Sequence, residues 1–142
     1  MEYLSRSLED TAEFAQIVLK RIVPGASARV ITLTGELGSG KTAFVKLCAK
    51  ALGVDEEITS PTFVIFKKYA LTKSSFKTLV HVDVYRLENA KELEQLHFKE
   101  ELVNPNNLIL IEWAERVQEL IPKDAQNIRC EYIDETTRKY YL

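Results

Sequence analysis

The chain has 142 residues, of which 19 are basic and 21 acidic, so its net charge at pH 7 is -2. This length suits one domain with one hydrophobic core, and the near-neutral charge gives no overall attraction for a nucleic-acid backbone. No apolar run approaches the roughly 18 residues of a membrane helix, and Cys48 and Cys130 lack the spacing of a zinc site or a disulfide framework. We therefore expect a single cytoplasmic, monomeric domain over residues 1–142 that has no contact with a membrane.

The first part of the chain predicts a helix, a strand and a second helix. Ser7 and Asp10 have the spacing of a helix-capping pair, and apolar residues then recur at helical intervals as far as Pro24. The segment 29–34 is rich in β-branched residues and predicts a strand, which runs through a glycine-rich loop into a helix over about 41–52. This is the order of elements around a phosphate-binding loop.

The rest of the chain predicts a mixed sheet with helices on both of its faces. We expect an antiparallel hairpin with strands at 62–69 and 76–85, a helix from Asn89 to about Leu102, a strand at 108–111, a short helix at 114–120, and closing strands at 127–133 and 138–142. The uniformly apolar strand at 108–111 should be central and buried on both faces. The pattern predicts an α/β fold, a three-layer sandwich with a mixed, mainly parallel sheet.

The glycine-rich loop is the strongest motif in the sequence. Residues 35–42 read GELGSGKT and satisfy the P-loop pattern G-x-x-x-x-G-K-[ST] at every fixed position. Its glycines let consecutive backbone N–H groups face a phosphate at the start of a helix. Lys41 should reach the β- and γ-phosphates, and the Thr42 hydroxyl is placed to bind Mg²⁺. The alternative is a glycine-rich turn without a ligand. The predicted phosphate-binding residues are Leu37, Gly38, Ser39, Gly40, Lys41 and Thr42.

Two acidic residues follow predicted strands and are candidates for catalysis. Asp83 comes directly after 79–82, and Glu112 comes directly after 108–111. Ligands of open α/β sheets bind at the carboxyl ends of the strands, so both carboxylates are expected near the magnesium ion and the attacking water. The alternative for each is an acid at a strand end that has only solvent contacts.

The nucleotide is expected to be ATP or ADP. Neither the N-K-x-D box that usually recognises guanine nor the D-x-x-G of switch GTPases occurs in the sequence. A small-molecule kinase remains an alternative, although the segment 114–123 is short for a lid and holds Arg116 as its single arginine. A third possibility is a nucleotide-gated binding module with negligible hydrolysis.

Four motifs taken together resemble a known bacterial family. They are GELGSGKT at 35–42, TSPTF at 59–63, HVDVYRL at 81–87 and IEW at 111–113. Their order and spacing are similar to those of the TsaE (YjeE) family, the ATPase component of tRNA threonylcarbamoyladenosine biosynthesis. The resemblance covers nearly the whole chain.

This resemblance implies a P-loop ATPase that works with two partner proteins, TsaB and TsaD, which transfer threonylcarbamoyl to adenosine 37 of ANN-decoding tRNA. The chain would contact tRNA only indirectly, through that complex. Lys41 and the loop amides would hold phosphates, Thr42 and Glu112 would bind magnesium, and Asp83 would act at the hydrolytic water or the metal. The resemblance also implies that Thr11, Trp113 and Arg138 lie near the nucleotide. Residues 59–62 would form a switch-like segment.

The sequence departs from the family pattern in two places. Ala114 stands where the family often has proline, which affects how firmly Trp113 is held. The segment 94–99 lacks the family's frequent glycine, so the helix there is expected to continue without interruption. His81 is expected to be a hydrogen-bonded structural residue, with a proton relay to Asp83 as the alternative.

A basic stretch lies on the predicted hairpin, and by default we expect it to be solvated. An alternative is that it faces the partner complex or its tRNA. The stretch consists of Lys67, Lys68, Lys73 and Lys77.

Overall fold

A computed structural model describes residues 1–59 and 65–142. The strands are Glu2–Ser5 (β1), Arg29–Thr34 (β2), Phe66–Ala70 (β3), Thr78–Asp83 (β4), Asn107–Glu112 (β5), Gln126–Tyr132 (β6) and Arg138–Tyr141 (β7). The helices are Leu8–Lys20 (α1), Lys41–Ala51 (α2), Ala90–Glu94 (α3) and Phe98–Val103 (α4), with a 3₁₀ segment at Ala114–Leu120. Part of the first hairpin strand, predicted at 62–69, lies outside the described residues.

The strands form one sheet in the order β1-β7-β6-β2-β5-β4-β3. The central pairings β6–β2, β2–β5 and β5–β4 are parallel, and the outer pairings β1–β7, β7–β6 and β4–β3 are antiparallel. The predicted mixed, mainly parallel sheet is therefore confirmed. The predicted antiparallel hairpin is present as β3–β4, and the two predicted closing strands pair as β6–β7. Every residue of β5 is buried, as expected for an apolar central strand.

Helices cover both faces of the sheet and give three layers. Alternation along the strands sends Ile31 and Leu110 toward α1 and α2, where they join one core cluster. Val30 and Ile111 point to the opposite face and pack with α3, α4 and the 3₁₀ segment. The carboxyl ends of β2, β4 and β5 meet at one edge of the sheet, where α2 begins.

The predicted start of α1 is confirmed, but the strand before it was not predicted. The backbone N–H of Asp10 donates to Ser7 Oγ at 3.1 Å, which caps the helix. The segment Glu2–Ser5 shows no strong apolar alternation and pairs with β7, at the far end of the chain. Such long-range pairing leaves little signal in a short local sequence.

The prediction of one uninterrupted helix from Asn89 to about Leu102 was wrong. The chain forms α3 and α4 instead, and between them His97 adopts a left-handed conformation with φ 62°. Leu93 and Phe98 are both fully buried. In one continuous α-helix, two side chains five positions apart point in directions that differ by about 140° around the axis. The chain therefore bends, so that both side chains are buried against the sheet.

The predicted short helix at 114–120 is present as a 3₁₀ segment that is interrupted at Val117, where φ is -131°. Its buried residues are Ala114, Val117 and Leu120. A spacing of three residues matches the three residues per turn of a 3₁₀ helix, which explains this geometry. No helix among the described ranges is long and apolar enough to cross a membrane.

Gly53 joins the end of α2 to the turn of the β3–β4 hairpin. It has φ 82°, and a Cβ atom built on it would lie 2.3 Å from Thr72 Oγ1 and 3.0 Å from the Lys73 nitrogen. The Thr72 hydroxyl donates to the Gly53 carbonyl at 2.8 Å. An L-residue therefore meets both backbone strain and a steric overlap at this position.

We expect Gly53→Ala to lower the free energy of unfolding by about 2 kcal/mol or more, since the left-handed conformation alone costs an L-residue about 1–2 kcal/mol. Urea denaturation followed by circular dichroism measures this change. Gly25→Ala is the matched control, because Gly25 has no positive φ and a Cβ there would be 3.9 Å from its nearest neighbour, Arg29. Equal stability of the two variants would contradict the prediction.

Candidate functional site

The glycine loop lies at the carboxyl end of β2 and leads into α2. Gly35 has φ 137°, and a Cβ atom there would lie 2.3 Å from the carbonyl oxygen of Cys130 on β6. Only glycine fits such a close approach of two backbones. Gly38 and Gly40 also have positive φ, so the loop curls as the motif predicts.

The Lys41 ammonium is held inside the loop by three acceptors. It donates to the carbonyl oxygens of Gly35 at 2.6 Å and Glu36 at 2.8 Å, and to Ser39 Oγ at 3.2 Å. It also lies 4.1 Å from the ring centroid of Trp113. Lys41 is 5 % exposed. The ammonium is therefore fixed by geometry rather than free to swing in solvent.

Two electrostatic effects act on the pKa of Lys41 in opposite directions. Burial lowers its pKa, because the charged form is desolvated. Nearby acidic groups, among them Glu112 and Asp83, favour the charged form and act to raise it. Burial is the largest of these effects.

A chain of hydrogen bonds links α2 with β5 and β4. The Thr42 hydroxyl donates to Glu112 Oε1 at 2.7 Å, and Glu112 Oε2 lies 2.6 Å from His81 Nε2. Glu112 is 1 % exposed and His81 is fully buried. The prediction that His81 is a hydrogen-bonded histidine is confirmed, although its partner is Glu112, on the neighbouring strand.

Asp83 lies beside Glu112 in the register of the sheet. The two residues are Cα partners at the ends of β4 and β5, so both carboxyl groups belong to the same edge and face. Asp83 Oδ1 accepts a hydrogen bond from the Tyr85 backbone N–H at 3.0 Å. The structure thus brings together the two carboxylates and the loop residues that the sequence predicted.

The oxygen ligands at this edge fit a magnesium ion that binds together with phosphates. Thr42 Oγ1 and a Glu112 oxygen lie within 2.7 Å of each other. Over residues 1–59 and 65–142 there is no group of three His, Cys, Asp or Glu side chains that would hold a metal without a ligand. Mg²⁺ typically uses one or two carboxylates plus substrate phosphates, which this arrangement permits.

These residues surround a cavity of about 450 Å³. It extends from the glycine loop past Asp83 to Tyr85 and Leu87, so it offers more room than a phosphate chain alone needs. The lining residues are Leu37, Gly38, Gly40, Lys41, Thr42, Ala43, Ile65, Asp83, Tyr85, Arg86, Leu87, Glu112 and Trp113.

Thr11 and Arg138 do not line the cavity beside Lys41. They line a second cavity of about 360 Å³. The two cavities share Gly40 and Ala43 at the start of α2. The Thr11 hydroxyl lies 2.7 Å from Ser5 Oγ, and Arg138 donates to the carbonyl oxygens of the preceding turn. The predicted nucleotide-binding residues therefore occupy both sides of the α2 N-terminus.

Trp113 belongs to the first cavity and is only partly buried. Its ring faces Lys41 and lies 4.9 Å from the ring of Tyr85. Its backbone N–H donates to the Leu33 carbonyl at 3.0 Å, and Ala114, which follows it, is 2 % exposed. The backbone around Trp113 is thus tied to β2 although proline is absent at position 114.

Two further residues that line the cavities, Tyr85 and Tyr140, were not predicted. Tyr85 lies in the HVDVYRL motif, where its contact with Trp113 was not foreseen. Tyr140 is fully buried, lines the second cavity, and stacks on Phe14 at 4.9 Å. Alternation along β7 places Tyr140 on the same face of the sheet as Arg138. This spacing of two residues is the sequence pattern from which the position of Tyr140 could have been predicted.

The switch-like segment is only partly described, whereas all four lysines of the basic stretch are described and exposed. Of 59–62, Thr59 lies within the described residues, and its hydroxyl accepts from Lys67 Nζ at 2.8 Å. Lys68 forms an ion pair with Glu101. Contact of the basic stretch with a partner remains a prediction.

A sequence profile described as threonylcarbamoyl adenosine biosynthesis protein TsaE matches residues 5–140. The chain belongs to the TsaE family. The family acts in the biosynthesis of threonylcarbamoyladenosine in tRNA. The predicted resemblance to this family is therefore confirmed. The roles of the individual site residues remain predictions.

The alignments with similar proteins extend over most of this chain. A TsaE protein of Treponema pallidum is 36 % identical, over 98 % of this chain and 97 % of its own length. A TsaE protein of Bacillus subtilis is 37 % identical over 84 % of this chain and 70 % of its own. The crystal structure of Bacillus subtilis YdiB superposes with a TM-score of 0.73 and 28 % identity, covering 99 % of this chain and 82 % of that one.

We expect both cysteines to resist alkylation in the folded protein. Burial raises the pKa of the Cys130 thiol to about 12 and also raises the pKa of Cys48. At pH 8 the reactive thiolate of Cys130 is therefore populated to about one part in ten thousand. Iodoacetamide labelling followed by mass spectrometry should show no adduct in buffer and two adducts in urea. Rapid labelling of Cys130 in the native chain would contradict this prediction.

Proposed function

We propose that this protein is a magnesium-dependent ATPase of the machinery that forms threonylcarbamoyladenosine at position 37 of ANN-decoding tRNAs, acting in the cytoplasm with TsaB and TsaD. The observation that carries the proposal is the position of Lys41 and Thr42. A complete P-loop lies at the carboxyl end of β2, and the Thr42 hydroxyl contacts Glu112 at the end of the adjacent strand. Family membership supplies the link to tRNA modification.

The loop accounts for phosphate binding. Backbone N–H groups at the start of α2, together with the partial positive charge of the helix end, favour an anion there. The Lys41 ammonium now donates to loop carbonyls and Ser39, and it would exchange some of these acceptors for oxygens of the β- and γ-phosphates. Its burial excludes water, which strengthens the interaction with developing negative charge.

The carboxylates account for metal binding and hydrolysis. Thr42 and Glu112 would hold the magnesium ion, which supplies charge neutralisation between the β- and γ-phosphates when bound. Asp83, beside Glu112 in the sheet register, would orient the attacking water or support the metal. The reaction is the transfer of the γ-phosphoryl group of ATP to water, which yields ADP and inorganic phosphate.

The second cavity would take the nucleoside. Thr11 and Arg138 line it, and it meets the phosphate-binding cavity at Gly40 and Ala43. A nucleotide with its phosphates on the loop and its base in the second cavity would therefore cross the N-terminus of α2. Trp113 lies on the phosphate side, so we assign it to the surroundings of Lys41 and not to the base.

We expect Lys41→Ala to weaken ADP binding by at least about tenfold, because charge-assisted hydrogen bonds are worth about 1.5–3 kcal/mol. Isothermal titration calorimetry measures this change. Lys46→Ala is the matched control, since Lys46 is an exposed lysine of the same helix. An unchanged affinity in Lys41→Ala would refute the role of the loop.

Removal of either acid should reduce turnover more than affinity. We expect Asp83→Asn and Glu112→Gln to lower the rate of ATP hydrolysis by about 100-fold, the usual range for a group that acts on water or metal. Phosphate release under saturating ATP gives the rate, and calorimetry with ADP gives the affinity. Glu119→Gln is the control, because Glu119 is an exposed acid that lines neither cavity. Turnover at the wild-type rate in both acid variants would contradict the assignment.

Partners should raise the rate of hydrolysis. Arg86 lines the cavity together with Asp83, and we expect the isolated chain to hydrolyse ATP slowly until a partner completes the site. We expect hydrolysis to rise on addition of TsaB, TsaD and tRNA, and to remain at background with Lys41→Ala.

The same assay separates the alternative of a small-molecule kinase, for which the cavity beyond Asp83 offers room near Tyr85 and Leu87. Phosphate that appears on an added small acceptor, without stimulation by the complex, would favour the kinase. Free phosphate and strong stimulation would support the ATPase.

A further inference from the structure

We propose that His81 is a positioning residue for the magnesium site. Its imidazole holds one oxygen of the Glu112 carboxylate, so that the other oxygen faces Thr42. This inference rests on the proposed function, in which Thr42 and Glu112 bind magnesium, and it gives a role to a histidine that the reaction itself does not use.

The sheet register places His81 where it can act on Glu112. On the parallel strands β4 and β5, His81 pairs with Leu110, and Asp83 pairs with Glu112. Side chains two residues apart point to the same face, so His81 lies one step below the acidic pair, on the side of α2. Leu79 and Leu110, on that face, belong to the core cluster beneath α1 and α2.

The contact is short and has no room for water. His81 Nε2 lies 2.6 Å from Glu112 Oε2, with side-chain exposures of 0 % and 2 %. The other ring nitrogen, Nδ1, is buried without a hydrogen-bond partner in the described part of the chain. A proton there would be an unsatisfied buried donor, so the hydrogen belongs on Nε2, which donates to the carboxylate.

The Glu112 carboxylate is therefore held at both oxygens. Oε1 accepts from Thr42 on α2, and Oε2 accepts from His81 on β4. A metal would bind a lone pair of the Thr42 oxygen and leave its O–H free to donate to Oε1, while His81 would hold Oε2 and so limit rotation of the carboxylate. Loss of a side chain that orients a metal ligand typically weakens metal binding by 10–100-fold.

The test compares two substitutions of His81 with a control histidine. His81→Leu removes the donor, whereas His81→Gln retains an N–H group near the place of Nε2. His97→Asn is the control, because His97 is the other of the two histidines, its side chain is 80 % exposed, and asparagine tolerates its left-handed backbone.

Electron paramagnetic resonance of Mn²⁺ gives the metal affinity of the protein in the presence of ADP, and calorimetry in EDTA gives the affinity for ADP alone. We expect His81→Leu to weaken Mn²⁺ binding by 10–100-fold, with ADP affinity in EDTA unchanged. His81→Gln should restore most of the metal affinity, and His97→Asn should match the wild type.

Equal Mn²⁺ affinity in His81→Leu and the wild type would overturn the inference while leaving the proposed function intact. An equal loss of ADP affinity in EDTA would also overturn it, since that result indicates a general distortion of the loop. If Mn²⁺ fails to bind the wild-type protein with ADP, the proposed magnesium site fails and the inference fails with it.

Nitrogen-15 NMR of the wild-type protein tests the same contact without relying on a foldable leucine variant. We expect the His81 proton on Nε2, and we expect the Nε2 signal to shift in Glu112→Gln while the His97 signals stay unchanged. A proton on Nδ1, or no response to the Glu112 substitution, would overturn the inference.

Discussion

Burial of one positive charge, the Lys41 ammonium, is the constraint on which the rest of the site depends. Removal of a charged amine from water is unfavourable unless other groups replace its hydration. Here the loop supplies two carbonyl oxygens and a hydroxyl, and Trp113 supplies the face of its ring. The carbonyls can point inward only because the glycine loop curls between β2 and α2.

The position of the loop depends in turn on the sheet. Gly35 touches the backbone of Cys130 on β6, and the loop ends where α2 places Thr42 against Glu112 on β5. Strands on both sides of β2 thus fix the two ends of the loop. A buried chain of side chains then continues from Thr42 through Glu112 to His81 on β4. Four neighbouring parallel strands and one helix therefore determine the geometry together.

Much of this arrangement could be predicted because its signals are local. The fixed residues of the P-loop, the apolar run before Glu112 and the capping pair at Ser7 are each contained in a few consecutive residues. The features that sequence analysis missed depend on contacts between distant segments. Strand β1 exists through its pairing with β7, and the bend at His97 arises because Leu93 and Phe98 must both reach the sheet. The partner of His81 depended on strand order, which alternation along a single strand does not reveal.

Trp113 has a practical consequence for the study of this protein. It is the only tryptophan in the sequence, and its indole ring lies against the ammonium of the P-loop lysine. Indole emission depends on nearby charge and on exposure to water. When excited at wavelengths where its six tyrosines do not absorb, the unlabelled chain therefore emits from one known position beside Lys41, and events that displace Lys41 can be followed optically in real time.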